Sequence, residues 1–160
     1  NNSYCQDNEI SWIDWSLLEK NKDLFEFFKF MIDYRKKHPV IRKKLDNAVC
    51  GMEAMHAHDV NAERMEVPQN AKTLAVSFAG YDRKKGKDDL VYVAVNAYWE
   101  EVKITLPNLA NHGAWYLSVD TYGDEKGKYF YQEGEEIRID REYVMKPRSI
   151  VVFTGREILR

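Results

Sequence analysis

The hydrophobic pattern of this chain changes its period once, and this change constrains the fold more than any other feature. Apolar residues recur at helical spacing over residues 22–37, whereas from Leu74 onward they alternate with polar residues and are often β-branched. Several short strands separated by turn signals are typical of an antiparallel sandwich or barrel. The pattern predicts strands at 74–78, 90–98, 102–106, 115–119, 137–139 and 150–153, with 129–131 as a candidate edge segment.

The helical segment has clear start and stop signals. Ser16–Glu19 has the form of a capping box and predicts a short helical turn, and Asn21 is a candidate N-cap for a helix over 22–37. Pro39 then ends the helix. The predicted apolar stripe consists of Leu24, Phe27, Phe28, Met31 and Ile32.

This helix also carries apolar residues outside the stripe, namely Phe25, Phe30 and Tyr34. An apolar surface this wide indicates burial on more than one side, so a neighbouring element is expected that this sequence does not contain. The uncovered face predicts self-association of the chain, or packing of the helix against the strands.

The residues between helix and strands look irregular. We expect residues 46–72 to be a connector with at most one short strand, and a boundary near residues 40–50, because long connectors are uncommon inside one compact unit. The predicted division is therefore residues 1–45, the connector 46–72, and the strand-rich domain 73–160.

The opening stretch from Asn2 to Trp15 combines polar and aromatic residues. Asn, Gln and Asp side chains can hydrogen-bond sugar hydroxyls, and Tyr and Trp rings can stack on sugar rings. This mixture beside a helix start predicts the rim of a carbohydrate site. The chain also begins in a loop without an initiator Met, so we expect it to be part of something larger.

The acids of this stretch do not suggest a catalytic pair. Glycoside hydrolysis needs two carboxyl groups on opposite sides of the scissile bond. Asp7, Glu9 and Asp14 lie within eight residues on one loop, whereas opposed carboxylates usually come from different strand ends. We therefore predict no catalytic residue here, and expect Asp14 to cap or pair near the helix start.

Two other chemistries, a metal site and a cysteine nucleophile, have little support in the sequence. His56, His58 and Asp59 could suggest a metal, but no third ligand at zinc spacing follows. Cys5 could be a nucleophile beside His38 or His112, but nothing in the sequence brings a base near it. We predict neither a metal site nor a cofactor site, and no dinucleotide or phosphate-loop motif occurs.

The aromatic residues of the strand region leave two readings open. They could line a sugar-binding platform, as in a carbohydrate-binding module that acts alone, or they could pack in the core. Core packing is the commoner use of aromatic residues on strands. The set consists of Tyr92, Tyr98, Trp99, Trp115, Tyr129 and Tyr131.

Net charge and cysteine content exclude several classes of protein. The net charge of −2 over 160 residues argues against a nucleic-acid or membrane partner. No apolar run is long enough to span a bilayer. The two cysteines, Cys5 and Cys50, are too few for a disulfide scaffold, so we predict reduced thiols and a cytoplasmic location.

Five segments in order resemble the C-terminal end of a glycogen debranching enzyme of the isoamylase and pullulanase-like branch of the alpha-amylase superfamily. They are NNSYCQDNEISWIDW, YRKKHPVIRK, NAYWEEVKITLP, WYLSVDT and PRSIVVF. The resemblance covers most of the chain and is weakest over residues 45–70. The opening segment is its most specific part.

The resemblance implies a mainly β fold: an antiparallel β-sandwich C-terminal domain, preceded by a loop and the last helix of a truncated (β/α)8 barrel. It implies hydrolysis of α-1,6 branch linkages by a retaining mechanism, with α-glucan as substrate and the missing catalytic barrel as partner. The family's catalytic acids lie upstream, and none maps onto this sequence, so the isolated chain should be inactive and mainly stabilising.

The resemblance also implies a substrate-facing role for the opening loop. Asn2, Tyr4, Asp7 and Asn8 match the family's loop motif and are the predicted substrate-binding residues. Related pullulanase-like enzymes tend to carry Asp where Asn8 stands.

Overall fold

The computed structural model describes residues 4–62, 67–110 and 113–156. Within them the chain forms helices α1 (Leu17–Lys20) and α2 (Lys22–Lys37), followed by a 3-10 turn at Pro39–Ile41. The strands are β1 (Met55–His58), β2 (Thr73–Asp82), β3 (Lys87–Asn96), β4 (Val102–Thr105), β5 (Ala114–Asp120), β6 (Ile137–Ile139), β7 (Glu142–Met145) and β8 (Ser149–Arg156).

The strands form two sheets. The larger has the order β1-β2-β3-β8-β5-β6, and the smaller pairs β4 with β7. All of these pairs are antiparallel. Alternating side chains of the large sheet pack against the small one, which gives a sandwich core. The largest buried side chains of this core are Tyr92, Leu90, Ile104, Leu106, Trp115, Met145 and Phe153. The predicted mainly β fold is therefore confirmed.

Helix α2 covers part of the opposite face of the large sheet. Phe27, Phe30 and Met31 pack against a cluster that includes Val91 and Val152. Side chains at alternate positions of a strand point to opposite faces, so the same strands supply both layers. The described chain is thus layered as helix, large sheet and small sheet.

The bounds predicted for the long helix are confirmed, but the predicted apolar stripe is only partly the buried side. Leu24, Phe28 and Ile32 are 54%, 59% and 54% exposed, whereas Tyr34 is 5% exposed. The apolar side chains of α2 thus form two neighbouring arcs. Leu24, Phe28 and Ile32 form the exposed arc, and Tyr34 belongs to the arc that packs on the large sheet. Helical spacing alone does not predict which arc faces the sheet.

The start of the helical region is organised differently from the capping-box prediction. Neither Ser16 nor Asn21 makes a side-chain cap. Asp14 takes this part instead, because its Oδ1 accepts the backbone N–H of Ser16 at 3.0 Å and the Ser16 hydroxyl at 2.6 Å. The Nδ2 of Asn21 donates to the carbonyl of Leu17 at 3.1 Å.

All six predicted strands are present. Strands β2, β3, β5 and β8 extend beyond the predicted ends, except that β3 stops at Asn96 rather than at residue 98. The candidate edge segment 129–131 makes one isolated bridge, between Phe130 and Val119. Strand β7 is absent from the prediction, because its apolar run Tyr143–Met145 has only three residues and is flanked by charged ones.

Part of the segment 46–72 belongs to the sandwich. Strand β1 is the edge strand of the large sheet, and Ala48 is buried in the sandwich core. Asp88 holds the start of the segment, because its carboxylate accepts the backbone N–H groups of Val49 and Cys50, both at 2.8 Å. Within the described ranges, no helix has the length and hydropathy of a membrane-spanning segment.

Candidate functional site

The opening loop is ordered by its own side chains. Asp7 Oδ1 accepts the indole N–H of Trp12 at 2.8 Å. Asn8 Oδ1 accepts the backbone N–H of Ile10 at 3.0 Å, which is an Asx turn, and the Asn8 carbonyl accepts the N–H of Ser11. These short-range bonds give the loop a defined shape without contacts to a core.

Of the predicted substrate-binding residues, Tyr4 is 78% exposed, and Asp7 and Asn8 are joined to the loop as described. Asn2 lies outside the described residues. The structure therefore brings Asp7 next to Trp12 and leaves Tyr4 at the surface. A tyrosine face, an indole and a carboxylate are groups that can bind a sugar, but they do not form a hydrolytic pair.

The loop is also unusually apolar for an exposed segment. Its large apolar side chains are between 64% and 73% exposed. Exposed apolar patches of this kind mark sites where a protein binds a partner or a ligand. They belong to Ile10, Trp12, Ile13 and Trp15.

Asp14 is not suited to protonating a leaving group. The hydrogen bonds from the Ser16 hydroxyl and backbone N–H lower the pKa of Asp14 below its usual value. A general acid in glycoside hydrolysis needs a raised pKa instead. This agrees with the predicted role of Asp14 at the helix start.

The histidine pair is part of the packing. His58 is buried, with Nδ1 3.2 Å from the carbonyl oxygen of Ala62 and Nε2 2.8 Å from the Ser77 hydroxyl. Both ring nitrogens are therefore used, and burial lowers the pKa of His58. Over residues 4–62, 67–110 and 113–156, no three His, Cys, Asp or Glu side chains come together in a group that could hold a metal ion.

The two cysteines are free thiols, with Cys5 exposed and Cys50 half-buried. Burial raises the pKa of Cys50, which disfavours the reactive thiolate. His38, one of the two bases considered for Cys5, is bonded to Asp89 at the end of α2. The other, His112, lies outside the described residues.

The aromatic residues of the strands do not form one platform. Tyr92, Trp115 and Tyr131 are buried, and the Trp115 indole donates to the carbonyl of Pro107 at 2.7 Å. Trp99 is 64% exposed and lies 4.2 Å from the ring of Tyr98, measured between centroids. Tyr92, Trp115 and Tyr131 therefore pack in the fold, whereas the ring of Trp99 is open to solvent.

The structure also shows a cleft that sequence reasoning missed. It has a volume of about 590 Å³ and lies between α2, the adjoining ends of β3 and β8, and residues 131–136. Its residues come from segments more than 100 positions apart, such as Tyr34 and Thr154. No local pattern in the sequence marks such a site.

The sequence is similar to those of isoamylases and of a glycogen operon protein. The family model described as "Isoamylase, C-terminal" matches residues 50–154, well over half of the chain. "Glycogen operon protein GlgX homolog" of Mycobacterium tuberculosis strain H37Rv is 52% identical over 44 residues, 28% of this chain. "Isoamylase 3, chloroplastic" of Oryza sativa subsp. japonica is 30% identical over 122 residues, 76% of this chain. "Isoamylase" of a Flavobacterium species is 27% identical over 176 aligned positions, 98% of this chain.

The chain is much shorter than these relatives. It spans 6%, 14% and 22% of their respective lengths. The matched family region, residues 50–154, includes every strand of both sheets except the last two residues of β8.

Proposed function

The chain belongs to the isoamylase C-terminal family, and we propose from this premise that it is the C-terminal part of a glycoside hydrolase. The parent protein would cleave α-1,6 branch linkages in glycogen-like α-glucans. Residues 73–160, together with strand β1, would stabilise the parent as a β-sandwich. The rest of 46–72 would be the connector, and residues 1–45 would be the end of a catalytic (β/α)8 barrel.

The observation that carries this proposal is that large apolar side chains are exposed in the N-terminal segment of the chain. Outside the region that matches the family, the described segment 4–37 exposes Trp12, Trp15 and Phe28. A helix with an uncovered apolar arc expects a further packing partner. A barrel wall beside α2 would bury this arc, and the relatives are long enough to contain one.

The opening loop would then border the glucan. Tyr4 would stack on a sugar ring, while Asp7, Asn8 and Asn2 would bind sugar hydroxyls. The Asp7–Trp12 hydrogen bond supports this role, because it shapes the loop before any ligand arrives. The catalytic acids would come from the rest of the parent, so the chain alone would have no debranching activity. A cytoplasmic location fits the free thiols Cys5 and Cys50.

The test is to assay debranching of glycogen and pullulan by the parent protein and by this chain alone. We expect activity from the parent and none from the chain. In the parent, Asp7→Ala should raise KM for branched glucan, because it removes both a sugar contact and the loop's bond to Trp12. Glu9→Ala is the matched control in the same loop. Robust debranching by the chain alone would refute the proposal.

A second candidate function is a carbohydrate-binding module that acts alone. The observation that favours it is the open ring of Trp99 beside Tyr98, with the Lys72 ammonium 3.8 Å from the Tyr98 ring centroid. Titration with maltooligosaccharides tests it. Loss of affinity in Trp99→Ala without unfolding would support this function, and no binding by the chain would exclude it.

A further inference from the structure

We infer that the cleft between α2 and the large sheet is a binding site for a segment of neutral α-glucan chain. The inference rests on the proposed function for the class of sugar, and on the geometry of the cleft for the site itself. The volume of about 590 Å³ falls within the range of about 300–1,000 Å³ that is typical of small-molecule sites.

The floor of the cleft consists of hydroxyl groups. The Tyr34 hydroxyl lies 2.9 Å from Thr154 Oγ1, and the Ser118 hydroxyl lies 2.8 Å from the same atom. A register shift in the pairing of β5 with β8, between Leu117 and Val119, accompanies the inclusion of Ser118 in this group. These hydroxyls are buried and bonded to one another, so they give the cleft a polar, uncharged floor, which suits a neutral ligand better than an ionic one.

The charges around the cleft argue against an ionic ligand. Among the described residues that line it, acidic and basic side chains occur in nearly equal number. Several are already paired with each other: Arg156 with Glu136, Lys29 with Glu26, and His38 with Asp89. A phosphate or carboxylate would find no excess of positive charge, whereas a neutral ligand needs none.

One ion pair spans the mouth of the cleft. Lys37 of α2 lies 3.8 Å from Glu133, measured from Nζ to the nearer carboxylate oxygen, and both side chains are more than half exposed. An exposed pair of this kind contributes little to stability, so its opening costs little. An ammonium donor and a carboxylate acceptor on opposite walls can hold two neighbouring hydroxyls of one sugar ring.

The walls add an apolar component that suits the faces of a sugar ring. Phe30 lines the cleft, and its ring stacks on Phe130 with centroids 4.5 Å apart. This stacking keeps the helix wall and the 130–136 wall at a defined separation. The cleft is therefore formed before a ligand binds, which lowers the entropic cost of binding.

The test is a titration of the isotope-labelled 160-residue chain with maltoheptaose, followed by amide chemical-shift changes in NMR. We expect the changes to centre on Lys37, Gln132 and Glu133. Lys37→Ala and Glu133→Gln should each weaken binding about five- to tenfold, as for one lost hydrogen bond. Lys22→Ala, at the other end of α2, and Glu125→Gln are the matched controls and should bind as the unmodified chain does. Inorganic phosphate, as a probe of charge alone, should leave the cleft signals unchanged.

Three results would overturn the inference. They are no change at the cleft amides, changes confined to Trp99 or to the opening loop, and changes at the cleft with phosphate instead of maltoheptaose. Debranching by the parent protein is measured separately, so the two ideas fail differently. If the parent debranches but the cleft amides do not respond to maltoheptaose, only the inference of a glucan site in the cleft is refuted. If the cleft binds maltoheptaose but the parent is inactive, only the proposed reaction is refuted.

Discussion

The imidazole of His38 and the carboxylate of Asp89 join the end of α2 to the start of β3. His38 Nδ1 lies 2.6 Å from Asp89 Oδ1, and the second oxygen, Oδ2, accepts the backbone N–H of Val40 at 3.1 Å. The neighbouring Asp88 holds Val49 and Cys50 in the same way. Two adjacent carboxylates on one strand therefore attach the whole segment between α2 and β1 to the sheet.

Asp89→Ala should destabilise the chain markedly. The substitution leaves the buried N–H of Val40 and the ring of His38 without their acceptor, and an unsatisfied buried group costs about 1–3 kcal/mol. We expect the free energy of unfolding to fall by about 2–4 kcal/mol in urea titrations, since two such groups are affected. Asp140→Ala, whose side chain is 93% exposed, is the control. Equal stability of the two variants would contradict this account.

The stability of the chain should fall as the pH drops from neutral towards 5. Burial lowers the pKa of His58 in the folded state, while the unfolded chain has the ordinary value of about 6.5. Below that value the unfolded state takes up the proton more readily, so unfolding is favoured as the pH falls towards the lower, folded-state pKa. Urea titrations at pH 7.5, 6.5 and 5.5 measure this.

The matched pair for the pH effect is His58→Gln and His56→Gln. The first should flatten the fall in unfolding free energy over this pH range. The second should leave most of it, because His56 is less buried and contacts the exposed Glu53. The hydrogen-bonded carboxyls of Asp124 and Glu135 have pKa values below their usual ones, so their contribution is lost at lower pH. An unchanged slope in His58→Gln would contradict the assignment.

The exposed arc of α2 should drive association of the isolated chain. Light scattering on the unmodified chain should show species larger than a monomer, and the double variant Phe28→Lys with Ile32→Lys should shift it towards monomer. The melting temperature should change little, because both side chains are more than half exposed. Phe30→Ala is the contrast. It removes contacts to Tyr34 and Phe130 and should cost about 2–4 kcal/mol of stability. A monomeric unmodified chain would refute this prediction.

The two tryptophans of the strand region, Trp115 and Trp99, should differ strongly in their effect on stability. Trp115→Ala removes a ring that is 2% exposed and packs with Tyr92, so we expect a loss of about 3–5 kcal/mol in unfolding free energy. Trp99→Ala removes a ring that is 64% exposed, and its effect should stay within about 0.5 kcal/mol. Chemical unfolding followed by circular dichroism measures both without relying on tryptophan emission. A large loss in Trp99→Ala would show that its ring packs in the fold.

Much of the architecture was predictable from local pattern. The helix over 22–37 follows its apolar periodicity and ends before Pro39, and the strands follow period-two runs broken by Gly and Pro. Strand β7 was harder to predict, because it is four residues long and pairs with β4, whose residues lie 37 to 43 positions away, as in the pair Lys103–Val144. Whether Asn2, Tyr4, Asp7 and Asn8 bind sugar stays a prediction.

The sequence alone determined most of the secondary structure and the family of this chain, because both depend on short runs of residues. Only the tertiary structure decided which arc of α2 docks on the sheet, that Tyr34 reaches Thr154, that Asp88 and Asp89 hold the segment between helix and sandwich, and that a cleft opens between Lys37 and Glu133. Each of these depends on which distant surfaces bury the most apolar area together while pairing nearly all of the buried polar groups. That choice is made by the whole chain at once, and no single stretch of residues contains it.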